Sequence, residues 1–241
     1  MIRRPASWLL LVGLTGLAVA APFVVRKKRS HETERASAPS DADATSSAGP
    51  STSSSQAEVA KVVRPVWPAS AKYVLHVGDS SLGFEQGLAL EMSTRFKAIG
   101  VRYEAITEAS AGLRSYATSA KLAELVRAKK PDVVLLTLGM NNLTVAQPEE
   151  YEVDVKVLVA QIGNRPCYWI GPLSLERPEN GLNALLARST APCGWSSSYE
   201  LDIERQPDHI HPTQRGASLW ADANWTALGA PLPEAAALKG P

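Results

Sequence analysis

A serine, a histidine and an aspartate occupy positions in this chain that could support nucleophilic catalysis. Ser80 follows an apolar run at 73–77 and precedes an amphipathic segment, so it is expected at the carboxyl end of a buried strand. Asp208 and His211 lie far downstream, three residues apart. A hydroxyl, a base that removes its proton and an acid that orients the base are the parts of an acyl-transfer site. We therefore predict Ser80 as the nucleophile, His211 as the base and Asp208 as the acid.

The elements that must position these residues alternate between short apolar runs and amphipathic segments. Helices are predicted where apolar side chains recur every three or four residues, at 84–100, 117–129, 148–162, 182–188 and 212–228. Strands are predicted at 72–77, 101–106, 132–138 and 167–170, with a weaker fifth at 199–203. Such an alternation forms a parallel sheet covered by helices on both faces, and these sheets bind ligands beyond the carboxyl ends of their strands.

Polar and glycine residues follow the predicted strands at that edge. Ser80 follows the first strand, Gly112 lies after the second, and Asn141 comes directly after the third. Attack on an ester places negative charge on the carbonyl oxygen, which N–H donors can stabilise. The backbone N–H groups of Ser80 and Gly112 and the side-chain amide of Asn141 are the predicted oxyanion donors.

The chain resembles the SGNH (GDSL-type) hydrolases in four blocks of sequence, which are Gly78-Asp79-Ser80, Gly112, Gly139-x-Asn141 and Asp208-x-x-His211-Pro212. The resemblance covers residues 72 to about 228. It implies a flavodoxin-like three-layer α/β/α sandwich with a mainly parallel sheet. It also implies a serine esterase or transferase that uses no metal or cofactor, with the catalytic and oxyanion roles assigned above.

Three positions depart from the pattern that is frequent in this family. Ser81 replaces an aliphatic residue, Asn142 replaces an aspartate, and the second block lacks an asparagine before Gly112. None of these changes removes a catalytic group. The Gly-x-Ser-x-Gly elbow of the α/β-hydrolases is absent around Ser80, which disfavours that competing fold.

Each candidate residue also has a structural interpretation. A serine after Gly-Asp at a strand end could be an ordinary helix cap, and Asp79 is itself expected to be a cap or turn residue. His209 is a rival base, but it lacks the three-residue spacing from Asp208, so we expect it at the rim of the cleft. His76 is expected to be a core histidine with satisfied hydrogen bonds.

The first quarter of the chain does not read as a folded domain. Residues 1–29 contain a charged start and an apolar run at 8–25, which is typical of a cleaved signal peptide or an uncleaved membrane anchor. Residues 30–68 are rich in Ser, Ala, Thr and Pro and predict a disordered linker. The hydrolase-like domain is predicted at 69–230, and 231–241 is predicted to be a flexible tail. This organisation predicts an extracytoplasmic location, with the membrane as a partner of the N-terminal segment.

Charge and cysteine content restrict the partners further. The formal net charge is +1 and no basic face recurs in the sequence, so nucleic-acid binding is not predicted. Cys167 and Cys193 are the 2 cysteines of the chain. In an exported domain they are expected to form a disulfide, and two free thiols are the alternative. They have no companion ligands at metal-binding spacing, which argues against a metal site.

These observations predict a membrane-tethered or exported serine ester hydrolase that forms an acyl-Ser80 intermediate. The expected substrate is an O-acyl group on an envelope or extracellular glycan, or a small acyl or lipid ester. Two alternatives retain the fold. One is an O-acyltransferase that passes the acyl group to a glycan hydroxyl, and the other is a non-catalytic module that binds a glycan or a protein.

Overall fold

The computed structural model describes residues 66–83, 87–175 and 180–232. Their centre is a 5-stranded sheet in which every neighbouring pair is parallel, in the order β2-β1-β3-β4-β5. The strands are β1 (Tyr73–Gly78), β2 (Arg102–Thr107), β3 (Val133–Thr137), β4 (Cys167–Ile170) and β5 (Gly194–Ser196). The central strand β3 is buried at every position, because helices cover both of its faces.

Helices form the two outer layers. They are α1 (Ser80–Gly83), α2 (Leu88–Ala98), α3 (Leu113–Thr118), α4 (Lys121–Lys129), α5 (Glu152–Ile162), α6 (Leu182–Ser189) and α7 (Gln214–Leu228). Helices α2 and α7 pack together on one face of the sheet, whereas α3, α4 and α6 pack around α5 on the other. The predicted three-layer α/β/α sandwich is thus confirmed.

The strand order decides where a ligand can bind. The chain leaves β1 toward β2 on one side, and β3 lies on the other side of β1. The connections therefore diverge at the carboxyl ends of β1 and β3, and a crevice opens there between them. The loops that carry Ser80 and Asn141 begin at these two strand ends.

Two predicted elements differ from the structure. The single helix expected at 117–129 is divided, because Ala120 adopts a left-handed conformation with φ 52° between α3 and α4. The hydroxyls of Thr118 and Ser119 bond to the carbonyls of Arg114 and Tyr116, which supports the end of α3.

The fifth strand was predicted in the wrong place. It is Gly194–Ser196, which pairs with β4, and residues 199–203 form no strand. The apolar alternation at 199–203 has another cause, since Ile203 is buried and Leu201 packs on the core from a loop that covers the edge of the sheet. Periodicity alone cannot distinguish such a loop from a strand.

The N-terminal boundary of the domain lies earlier than predicted. Trp67 was assigned to the linker, yet it is buried and its ring stacks on Phe96 of α2 with centroids 5.6 Å apart. The predicted leader at 1–29, most of the linker and most of the tail lie outside the described residues. Within the described residues, no helix is both long and apolar enough to cross a membrane.

Candidate active site

Ser80 lies at the junction of β1 and α1, beside the end of β3. A side chain at Gly78 would place its Cβ 2.6 Å from the carbonyl oxygen of Thr137, so only glycine allows the two strand ends to approach this closely. Ser80 then begins α1. The N–H of a first helical residue has no acceptor within its own helix, so this group is left for another acceptor.

His211 and Asp208 lie in a folded-back loop between β5 and α7. Arg205 and Pro212 form an isolated antiparallel bridge across the base of this loop. The N–H of Gln206 donates to the carbonyl of His211 at 2.8 Å. These contacts fix the backbone on both sides of the Asp-x-x-His segment.

The same loop is packed against the start of α7. The Thr213 hydroxyl caps α7 by accepting a hydrogen bond from the N–H of Gly216 at 3.1 Å. A Cβ at Gly216 would lie 2.1 Å from the carbonyl oxygen of Glu204. A larger residue there would push the loop away from the helix and displace the histidine that it carries.

The structure brings the three predicted catalytic side chains together, although Ser80 and His211 are 131 residues apart in sequence. The Oγ atom of Ser80 lies 3.2 Å from Nε2 of His211. The Nδ1 atom of His211 lies 2.7 Å from Oδ2 of Asp208. The histidine can therefore accept the serine proton on one ring nitrogen while the aspartate accepts the proton on the other.

Asp208 is held by more than the histidine ring. Its Oδ1 accepts hydrogen bonds from the backbone N–H groups of Ile210 and His211, at 2.9 and 3.0 Å. The hydrogen bond with the His211 ring is the main cause that lowers the pKa of Asp208 to about 2. His209 adopts φ 59°, a strained conformation for a non-glycine residue, in the turn that these bonds enclose.

The predicted oxyanion donors differ in whether their N–H groups already have an acceptor. Asn141 uses one Nδ2 hydrogen to bond the carbonyl of Ala111 at 2.9 Å, which fixes the amide and leaves its second hydrogen for an oxyanion. The N–H of Gly112 donates instead to the Ser115 hydroxyl at 3.2 Å. Gly112 can therefore stabilise an oxyanion only if Ser115 shares or gives up this bond. The serine three residues after Gly112, in a helix-capping position, was the signal that sequence reasoning missed.

Asn142 explains one departure from the family pattern. Its side chain is buried, and its Oδ1 accepts a hydrogen bond from the N–H of Leu113 at 3.1 Å. An amide oxygen accepts this bond as an aspartate would. The second and third blocks thus stay connected without a carboxylate.

Asp79 connects the first block to the third. It is fully buried, and its Oδ1 accepts bonds from both the N–H and the hydroxyl of Ser81, at 3.0 and 2.6 Å. Its Oδ2 accepts a bond from the N–H of Met140 at 3.2 Å. Burial raises the pKa of Asp79, and the hydrogen bonds from Ser81, Met140 and Gly139 oppose that rise. Asp79 therefore has the structural role that we expected, and it positions the two loops around the crevice.

His76 lies in the core of the sheet, four residues before the serine in sequence. Its Nδ1 lies 2.8 Å from the Tyr103 hydroxyl and its Nε2 lies 2.7 Å from Thr137 Oγ1. Complete burial lowers the pKa of His76 to about 3. It is a neutral, hydrogen-bonded core histidine, as predicted.

A cavity of about 750 Å³ lies beside the loop that carries Asp208 and His211. Pro207 and His209, the two neighbours of Asp208, form one part of its lining, which places His209 at the rim as expected. The rest of the wall is mostly polar and includes Ser174, Tyr199, Glu200, Asp202, Arg205 and Gln206. Its volume is in the range of small-ligand sites.

Among residues 66–83, 87–175 and 180–232, no three His, Cys, Asp or Glu side chains are grouped so as to hold a metal ion. The two cysteines, Cys167 and Cys193, form a disulfide. It joins the start of β4 to the residue before β5, at the opposite end of the sheet from the crevice.

Comparison with known proteins relates the chain to others through structure. Its sequence matches no protein-family model and no curated protein. A catalytic mutant of Axe2, an acetylxylan esterase from Geobacillus stearothermophilus, superposes with a TM-score of 0.56 at 16% identity, covering 69% of this chain and 98% of that one. The acetyl xylan esterase AlAXEase superposes with a TM-score of 0.53 at 19% identity, covering 65% of this chain and 99% of that one.

A third similar structure belongs to a protein named for the Gly-Asp-Ser-Leu motif. It is a lipolytic protein of the G-D-S-L family from Desulfitobacterium hafniense, with a TM-score of 0.53 at 14% identity, covering 65% of this chain and 99% of that one. These identities are low, so the likeness concerns the path of the backbone. The parallel sheet, the order of the four sequence blocks and these superpositions together show that the chain has the fold of the SGNH (GDSL-type) hydrolases.

Proposed function

We propose that this protein is a serine ester hydrolase that acts through an acyl-Ser80 intermediate. The observation that carries the proposal is the continuous set of hydrogen bonds from Ser80 through His211 to Asp208. A serine that only capped a helix would not require a histidine ring at its hydroxyl. Nor would it require an aspartate that fixes the tautomer of that ring.

The proposed reaction proceeds in two stages. Ser80 Oγ attacks the ester carbonyl while Nε2 of His211 takes the hydroxyl proton, and the protonated ring then gives this proton to the departing alcohol. Water next attacks the acyl-serine, again losing its proton to His211. The acid leaves, and Ser80 regains its proton. Asp208 stays ionised throughout and stabilises the imidazolium.

The oxyanion of each stage needs N–H donors near the serine. The Ser80 N–H and the second Nδ2 hydrogen of Asn141 are two donors that the resting structure leaves for this purpose. Loss of one such donor raises the barrier by about 3 kcal/mol. Gly112 is a third donor on the condition that Ser115 releases its N–H.

We infer that the substrate is a small O-acyl group on a hydroxyl-rich alcohol such as a glycan outside the cytoplasm. The cavity beside Asp208 has side chains that can hydrogen-bond hydroxyl groups. Two structures with the same fold are acetylxylan esterases. The buried disulfide and the predicted N-terminal leader both support an extracytoplasmic location.

Labelling of the full chain with a serine-reactive phosphonate, followed by mass spectrometry, tests the catalytic proposal. We expect the label on Ser80, and we expect labelling to be lost in His211→Asn. The matched control is His209→Asn, which alters the neighbouring histidine and is tolerated at a positive φ. Absence of label under conditions that modify a known esterase would contradict the proposal, as would equal labelling of His211→Asn.

The substrate class is tested by acetate release from acetylated xylo-oligosaccharides and from a small aryl acetate. We expect a higher kcat/KM on the sugar ester, and we expect Asp202→Asn and Gln206→Ala to lower that value while the aryl ester is cleaved as before. Equal loss on both substrates would show that the cavity does not bind the sugar. Transfer of the acetyl group to an added oligosaccharide in preference to water would show that the protein is a transferase and not a hydrolase.

A further inference from the structure

The end of the sheet where the strands begin carries a concentration of positive charge. Parallel strands share this end, and the helices that precede β2, β3 and β4 finish there, so their last residues meet at one surface. We call this surface the basal face and define it by its cationic residues, Lys72, Lys97, Arg102, Arg127, Lys130 and Arg165.

Few carboxylates offset this charge. Glu104 accepts bonds from both Arg102 and Lys129, and the Asp132 carboxylate is occupied by the backbone N–H groups of residues 72 and 73. Lys97, Arg127 and Lys130 are exposed and have no carboxylate partner among the residues that the structure describes.

Two shallow cavities open on the basal face, and both are lined by cations. One, of about 410 Å³, is lined by Arg127, Lys130 and Arg165 together with apolar residues and Gln161. The other, of about 390 Å³, is lined by Lys97 and Arg102. No carboxylate belongs to either lining. Anionic groups of about the size of a phosphate would find paired cations in both.

Helix dipoles account for part of this pattern. Cations in the last turn of a helix are locally stabilised, and Lys97, Arg127 and Lys129 occupy such positions in α2 and α4. Arg102 is held at the start of β2 by Glu104 and by the ring of Tyr73, on which its guanidinium lies at 4.5 Å. The dipole does not account for Lys72, which lies at the start of the sheet.

The chain joins the domain at this same end. The described residues begin at Val66, which is 88% exposed, six residues before Lys72. Sixty-five residues precede it, including the apolar run at 8–25, the basic cluster at 26–29, and Lys61 and Arg64. The loop at the crevice end has a net negative charge, because residues 200–208 contain four carboxylates and one cation, Arg205.

We propose that the basal face is a docking surface for a membrane rich in anionic phospholipid, and that docking holds the crevice on the side away from the bilayer. A tether alone would keep the domain near a membrane without setting its orientation. The basal cations select one orientation by attraction to phosphate groups, and the acidic crevice loop disfavours the reverse one. The substrate of an outward-facing crevice is then a polymer beyond the membrane and not a lipid within it.

The proposal is tested with the full chain bound to lipid vesicles. The experiment compares how close each end of the domain lies to the membrane. Both native cysteines are in the disulfide, so a single fluorophore can be attached to Ala98→Cys on the basal side or to Ala146→Cys on the crevice side. The vesicles contain phosphatidylcholine with or without phosphatidylglycerol, and a quencher is carried on the lipid headgroups. We expect quenching of the Ala98 label only with phosphatidylglycerol, and little quenching of the Ala146 label in either mixture.

Charge removal supplies the matched comparison. Arg127→Gln with Lys130→Gln should lower the ratio of Ala98 to Ala146 quenching by up to about 25-fold, because each cation near an anionic surface contributes a factor of about five. The control, Lys121→Gln with Lys156→Gln, removes two exposed cations elsewhere and should leave the ratio unchanged. Equal quenching of the two labels, or a ratio independent of phosphatidylglycerol, would overturn the proposal. Binding of an acidic polysaccharide or DNA through these cations without dependence on vesicle charge would also overturn it.

Discussion

Ser80, His211 and Asp208 are connected by two hydrogen bonds that differ in length and in surroundings. The bond between His211 and Asp208 is short at 2.7 Å, and backbone N–H groups hold the same carboxylate from its other oxygen. The contact between Ser80 and His211 is longer at 3.2 Å, as is usual before a substrate is bound. The Asp208 carboxylate therefore holds the His211 ring in place, and we expect only the Ser80 proton to transfer to that ring.

This asymmetry makes Asp208→Asn an informative change. An asparagine Oδ1 can still accept the two backbone hydrogen bonds, so the loop should keep its structure. Its amide group cannot accept the proton on Nδ1 of His211, so the ring should adopt the wrong tautomer. We expect kcat to fall by about 10³- to 10⁴-fold with an unchanged melting temperature.

The measurement is ester hydrolysis on a small aryl acetate together with thermal unfolding. Asp202→Asn is the control, since it removes the same charge from an exposed position of the same loop. If Asp208→Asn lost less than about tenfold in kcat, the aspartate would have no orienting role.

At the scale of elements, Asp79 connects the end of β1 to the loop after β3 through hydrogen bonds. Its carboxylate collects donors from Ser81 and Met140, and an asparagine would turn an NH₂ group toward one of these donors. A buried donor facing another donor costs about 1–3 kcal/mol. We expect Asp79→Asn to lower the free energy of unfolding by that amount and to slow phosphonate labelling of Ser80.

Urea unfolding and the labelling rate measure the two effects. Glu124→Gln is a control for the loss of one acidic group, because that side chain is exposed on α4. A labelling rate that stayed constant while stability fell would show that Asp79 supports the fold without positioning the serine.

His76 makes the stability of the sheet depend on pH. Its pKa is about 3 in the folded protein, whereas the ordinary value of 6.5 applies to the unfolded chain. Between these two values the unfolded chain binds the extra proton, so stability is complete above pH 6.5 and falls as the pH decreases toward 3. The contribution of one such group is about 1.4 kcal/mol per pH unit.

The comparison of wild type with His76→Gln isolates this contribution. Glutamine cannot titrate, so the variant should be less stable at neutral pH, yet its free energy of unfolding should depend less steeply on pH below about 6.5. Urea denaturation over a series of pH values gives both slopes. Identical slopes would show that the pKa of His76 is the same in the folded and the unfolded protein.

The sequence predicted most accurately those elements whose bounds are set by residues next to them in the chain. β4 was predicted with its observed bounds, because the apolar run 167–170 lies between Pro166 and Gly171. The prediction failed where the environment was set by distant residues. Ala120 has no sequence feature that marks a left-handed turn, and the loop at 199–203 imitates a strand because it covers the core.

The site shows the same division. Residue types and their places after strands predicted the serine, histidine and aspartate that the fold brings together. Ser115 stands in a helix-capping position three residues after Gly112, so the residue pattern did indicate that its hydroxyl takes the Gly112 N–H, and this signal was missed. Residue types could not predict that Asp79 connects two loops, since its partner Met140 lies 61 residues away.

At the scale of the whole molecule, the disulfide secures the edge of the sheet. Cys167 and Cys193 are separated by 26 residues and join β4 to the short edge strand β5. Removing a cross-link over a loop of this size costs about 3 kcal/mol. We expect Cys167→Ala with Cys193→Ala to lose this stability and to keep its kcat, since the bond lies at the basal end of the sheet.

Urea unfolding and aryl acetate hydrolysis measure the two quantities. Each single alanine variant, compared with reduced wild type, reports the cost of lost packing alone. A double variant as stable as the oxidised wild type would show that the cross-link does not stabilise the fold.

Trp67 has a consequence for how this domain can be combined with others. Its ring stacks on Phe96, Phe96 packs against Trp225 at 4.7 Å, and the Trp225 indole donates to the carbonyl of Pro231. The segments that begin and end the described part of the domain therefore pack on two side chains that contact each other, Phe96 and Trp225. Domain ends that lie on one side of a domain allow it to be inserted into a surface loop of another protein.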